Sequence, residues 1–160
     1  MREMKRRKIA VTNLDKPIAE LVSKTDQKTL AIWAADCAER VLPYFEEKYP
    51  EDTRPRKGIE ALREWVRSGV FRMADVRKTA RAAHAAARDV QEDDAARSAA
   101  RAAGQALATA HVPRHALAAS MYAATAVRDA TNSADADSAT TSEREWQYQH
   151  LLRLIETGTS

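Results

Sequence analysis

Residues 80–110 read ARAAHAAARDVQEDDAARSAARAAGQALATA, and they decide the fold. Fifteen of these 31 residues are Ala, with Arg recurring at 81, 88, 97 and 101. Ala and Arg lose little rotamer freedom in a helix, so the stretch predicts helices rather than strands. The acids Glu92, Asp93 and Asp94 divide it. A fourth helix runs from about Met73 to Val90, and a fifth starts near the acids, which suit the positive end of its dipole. Val76, Ala80, Ala83, Ala87 and Val90 form a narrow apolar stripe on the fourth helix. An Ala stripe lets two backbones approach closely. The fourth, fifth and sixth helices are therefore expected to form a tight central layer.

Toward the C-terminus, Pro113 stands in the first turn of a sixth helix, PRHALAASMYAATAVRDA, residues 113–130. Its Ala116, Ala119, Ala123 and Ala126 share a face that packs either inside the chain or against a second copy. Residues 131–141 read as a mobile polar loop. The last helix, SEREWQYQHLLRLIE, opens on a capping-box pattern at Ser142 and Glu145 and presents Trp146, Leu151, Leu154 and Ile155 to the bundle.

Toward the N-terminus, a short helix spans about Asn13 or Asp15 to Val22. Thr25 or Asp26 caps the next one, whose Leu30, Trp33, Ala34, Cys37 and Val41 fall on one face. Pro43 is expected to bend or restart it. PEDTRPRKG, residues 50–58, reads as a loop. The following helix buries Ile59, Leu62 and Val66, carries Trp65 at its edge and stops at Gly69.

These pieces predict an all-α, compact single-domain bundle of six or seven helices over residues 13–156. Residues 1–12 form a basic, flexible tail. The whole chain has 160 residues, too few for a second domain with its own core, and its 4 Gly and 5 Pro are too scarce for the turns of an all-β protein. Cys37 is the one cysteine, so no intramolecular disulfide forms. No apolar run has signal-peptide or membrane-span character, and a cytoplasmic protein is the default. The formal net charge is +3, and residues 1–8 contribute five positive charges against one negative. Such a tail suits nucleic acid or an acidic protein.

Nucleotide-loop, zinc-protease and serine-hydrolase motifs are absent, so no catalytic residue and no cofactor is assigned. Cys37 shares a face with Trp33 and Val41 and reads as a small buried hydrophobe. His111 and His115 are four apart, but Pro113 lies between them. Together with Asp36 and His84 they form the ligand set of an alternative reading, a small metal-dependent enzyme. Asp36 and Arg40 sit at the rim of the second helix, where Arg stacks and bridges. Arg54 and Arg56 flank Pro55. Arg77, Arg81 and Arg88 line one face of the fourth helix and make a candidate partner-binding surface. Aromatics do not interleave with this stripe, which argues against stacking on single-stranded nucleic acid. A nucleic-acid-binding helical module using the basic tail is a further alternative.

The segments WAADCAERVLPYFE (33–46), DTRPRKGIEALREW (52–65), ARAAHAAAR (80–88) and ARAAGQALATAHVPRHALAASMYA (100–123) together resemble the Imm-five-like domain. That is a family of immunity proteins associated with bacterial polymorphic toxin systems. The resemblance covers roughly residues 28–130. It implies an all-helical fold and a protein that neutralises a cognate toxin by stoichiometric binding and occlusion. The polar positions that match the family pattern are Trp33, Asp36, Arg40, Arg54, His84, His111 and His115, without an assigned role. Gly58 stands where the pattern has an apolar residue, which leaves the start of the third helix open.

Overall fold

The computed structural model describes residues 9–92 and 94–158. Seven helices follow one another: α1 (Asp15–Ser23), α2 (Gln27–Glu46), α3 (Arg54–Ser68), α4 (Met73–Asp89), α5 (Ala95–Ala108), α6 (His115–Ala130) and α7 (Ala136–Thr157). No strand occurs among the described residues. The fold is all-α, as the Ala-rich stretch requires.

α5 is the axis of the molecule. It packs against α2, α3, α4 and α6, while α7 lies on α6 and α2 and α1 on α6. Its side chains are small enough for helices on several sides to close on it. Ala96, Ala99, Ala100, Ala102, Ala103 and Ala106 are all buried. Two glycines take this to its limit. A Cβ on Gly58 of α3 would lie 3.4 Å from the carbonyl oxygen of Ala103. A Cβ on Gly104 of α5 would lie 2.7 Å from the His84 ring of α4. The larger side chains, Trp33, Phe45, Ile18, Leu30, Leu42, Leu62, Leu107 and Leu151, are fully buried around this layer. Ala116, Ala119, Ala123 and Ala126 of α6 are buried within the chain, so that face is already covered.

The helix ends follow local chemistry. Asp26 caps α2, accepting from the Thr29 amide at 3.1 Å and its hydroxyl at 2.7 Å. Asp94 caps α5, accepting from the amides of Ala96 at 3.0 Å and Arg97 at 3.3 Å. Gly69 ends α3 in the left-handed region, with φ 70°.

Five expectations are corrected. Pro43 does not restart α2, since the helix runs on to Glu46. The carbonyl that loses its partner belongs to exposed Glu39, while Leu42 and Phe45 on either side of Pro43 are buried. α3 begins at Arg54 rather than after Gly58, with Pro55 in its first turn, where a missing N–H costs nothing. The loop expected over 131–141 shrinks, because α7 already begins at Ala136. Its early stripe is Ala136, Thr140, Glu143, Arg144 and Gln147, all buried at helical spacing. Ile155 does not join the bundle and is 41% exposed. Finally, residues 9–12 are not a free tail: Ala10 is buried, and its amide donates to Thr125 Oγ1 at 2.9 Å. Residues 1–8, which carry the basic charge of the tail, lie outside the described residues.

Candidate functional site

α4 packs one side of its surface, Ala83, Ala86 and Ala87, onto the bundle. The opposite side carries the predicted cations. Arg77, Arg81 and Arg88 are all exposed, and none of them has a hydrogen-bond or ion-pair partner among the described residues. Other arginines differ: Arg56 holds Glu46 at 2.5 Å, Arg63 holds Asp36 at 2.9 Å, and Arg54 bridges Asp52 at 2.7 Å and Asp89 at 2.8 Å. Beside the start of α4, a groove of about 340 Å³ runs past Ala61, Trp65, Val70 and Val76.

The His84 side chain leaves α4 toward α5. Arg101 Nη1 stands 3.4 Å from its Nδ1. Arg has no acceptor, so Nδ1 must accept and Nε2 carries the proton. Burial pushes the His84 imidazole below its ordinary value, and the charges of Arg101 and Arg88 push the same way. His115 opens α6, and its Nδ1 meets Gln105 Oε1 at 2.8 Å. Burial lowers its value too. His111 lies before α6, not on it, and stacks with Phe71 at a centroid distance of 6.2 Å. The three histidines of the metal alternative thus gather near the α4–α5–α6 junction, but Asp36 is engaged elsewhere. Among the described residues, no group of three His, Cys, Asp or Glu side chains is arranged to hold a metal ion.

Asp36 joins three helices on another side. It accepts from Arg63 of α3 at 2.9 Å and meets His150 of α7 at 2.7 Å. One turn on, Arg40 makes a two-pronged pair with Glu143 of α7, both contacts at 2.9 Å. Its guanidinium sits 3.8 Å from the Trp146 ring centre. Arg40 thus stacks on Trp146 and bridges to Glu143, while Asp36 bridges to Arg63 and His150, so the two residues have separate partners. Trp33 is fully buried, and its Nε1 donates to the Gln147 carbonyl at 2.8 Å. Cys37 is buried as well, and burial pushes its thiol well up, which keeps it inert.

The sequence reading missed the partners in this network. Arg144 is almost wholly buried. It donates to Asp15 at 3.0 Å, Ser120 Oγ at 2.9 Å and Gln147 Oε1 at 2.9 Å. Glu143, Arg144, Gln147 and His150 repeat at three and four residues, the one signal that could have placed them on a single inward face.

Trp33, Asp36 and Arg40 therefore fasten helices together, whereas the α4 face is left without counter-charges. The chain is an Ala-packed helical bundle with polar clasps and a free cationic side. Residues 20–154 match the family described as Imm-5 like putative immunity protein, and the chain belongs to that family. No curated protein and no solved structure matches it. No helix among the described residues is long and apolar enough to cross a membrane.

Proposed function

We propose that this chain neutralises a cognate bacterial toxin of a polymorphic toxin system by stoichiometric binding, in the cytoplasm, and not by catalysis. The bundle would act as a rigid plug that covers the toxin's active site or substrate groove. The observation that carries the reading is the α4 face. Three exposed arginines without counter-charges raise the association rate with an oppositely charged protein and select against like-charged ones. Family membership supports the choice of partner class. A stable complex of this kind buries roughly 1,600 Å² in total.

The test is co-expression with the product of the adjacent upstream gene, scoring survival and then isolating the complex. Rescue with a one-to-one complex is expected. Equal killing with and without this chain, by a neighbour shown to be toxic, removes that pairing.

A further inference from the structure

α3 and α4 run antiparallel, tied at one end where Arg54 of α3 reaches Asp89 of α4 at 2.8 Å. Between them lies a groove in two adjoining stretches, of about 340 and 400 Å³, which share Asp75 and Thr79. Lys57, Ala61 and Trp65, four residues apart, stand along its α3 side. The two ends differ in character. One holds Trp65, Val70 and Val76, and Val70 is 61% exposed, an apolar side chain left in water. The other holds Lys57 and Lys78, both exposed and without a side-chain partner among the described residues. The lining carboxylates do not balance this charge. Glu64 is held by Arg67, and Asp75 alone faces Lys57, Arg72 and Lys78. A helix rises about 1.5 Å per residue, so Lys57 stands roughly 12 Å along the groove from Trp65.

We propose that this groove docks an amphipathic helix of a partner protein. Its apolar side chains lie against Trp65, Val70 and Val76, and its Asp or Glu side chains, two turns further on, against Lys57 and Lys78. Shape and charge both select this occupant. A helix satisfies its own backbone, and a cleft between two antiparallel helices takes the ridge of a third. An extended segment would need a free strand edge, and no strand occurs among the described residues. The two ammonium groups, with no counter-charge of their own, attract carboxylates and repel a basic helix. Three residues after Lys78, Arg81 begins the outer cationic face of α4, so an acidic partner meets one continuous field. The inference deepens the toxin-binding reading and rests on it for the partner being the toxin.

The probe is an end-blocked, Ala-based helical peptide with two leucines one turn apart and two glutamates two turns further on. It is titrated at low salt into the full chain, isotopically labelled and followed by nuclear magnetic resonance. Saturable shifts are expected at the Trp65 indole, Val70, Lys57 and Lys78. Lys57→Gln together with Lys78→Gln should weaken binding about tenfold, the loss of two exposed charge contacts. Val70→Ser should weaken it about fivefold, the loss of part of one apolar contact. These side chains are exposed, so the fold is kept, and circular dichroism of each variant checks it. Lys16→Gln, on α1, should leave binding unchanged. A flat titration, or shifts that avoid the groove, would overturn the docking site. Tighter binding of the same peptide with lysines in place of the glutamates would overturn the acidic partner. So would a dimer in sedimentation that Val70→Ser dissolves, because a second copy would then fill the groove. No toxin enters the titration, so the two readings fail separately. Rescue in cells with a flat titration removes the groove and keeps toxin binding, and the reverse result keeps the groove and removes the toxin.

Discussion

Arg144 keeps its charge in the interior, with 2% of its side chain exposed. Burial works against that charge, and Asp15 opposes the effect. Removing the guanidinium leaves Gln147 Oε1 without its donor in the core, takes from Ser120 Oγ the bond it accepts, and leaves Asp15 without its ion-pair partner. Arg144→Ala should therefore cost about 3 kcal/mol, read as a lower urea midpoint. Arg67→Ala should leave the midpoint near wild type, because the Arg67 side chain is 73% exposed and bound to a neighbour on its own helix. His84 and His115 act at the same scale but through pH. An imidazole held below its ordinary 6.5 binds fewer protons folded than unfolded. The stability it contributes is full above pH 6.5 and is lost as pH falls through the lowered folded value. Asp26, Glu46 and Asp52 are also held low, by the Thr29 cap and by Arg56 and Arg54. Their contributions are lost only below the ordinary carboxylate range. A thermal or urea midpoint that falls between pH 7 and pH 5, and falls less in His84→Gln, is the expected result. An identical slope in that variant would show that His84 titrates alike in both states.

At the scale of the element, α5 and α7 represent two ways of holding a helix. α5 buries nine of its residues and packs against four other helices, whereas α7 docks largely through polar side chains. Opening α5 exposes most of the core, while the end of α7 beyond Leu151 covers little. Hydrogen exchange should therefore find the α5 amides protected near the global limit and those of Leu154 to Thr157 exchanging first. Equal protection of both would mean the bundle opens only as one unit. The same contrast explains what was legible in the sequence. Helices built on Ala, Leu and Val announce themselves by periodicity, and α1, α4 and α5 begin close to the predicted places. The start of α7 did not, because its inward stripe is Ala136, Thr140, Glu143, Arg144 and Gln147. Those residue types normally face water, and Glu143, Arg144 and Gln147 are satisfied largely by partners distant in sequence, Arg40, Asp15 and Ser120. The candidate site was legible in part. The spacing of Arg77, Arg81 and Arg88 placed them on one exposed face, whereas the lodging of His84 over Gly104 depends on how α4 meets α5, which spacing alone does not give.

At the scale of the molecule, the formal net charge of +3 conceals an uneven distribution. Arg40, Arg54, Arg56 and Arg63 neutralise carboxylates between or beside helices, and their charge is spent on the fold. The charge of α4 is not, so it shapes the field that an approaching protein meets. Reversing Arg81 and Arg88 to Glu together should then weaken the toxin complex by about tenfold or more, chiefly through slower association. The wild-type association rate should fall steeply as salt rises, and the double variant should lose that dependence. The fold should tolerate both changes, because the two side chains are exposed and hold no partner within the chain. Association rates measured across ionic strength, with far-ultraviolet circular dichroism of each variant, decide the point. Unchanged rates in a folded double variant would take α4 out of the interface and leave the α2–α3–α7 side, around Arg40 and Trp146, as the next surface to reverse.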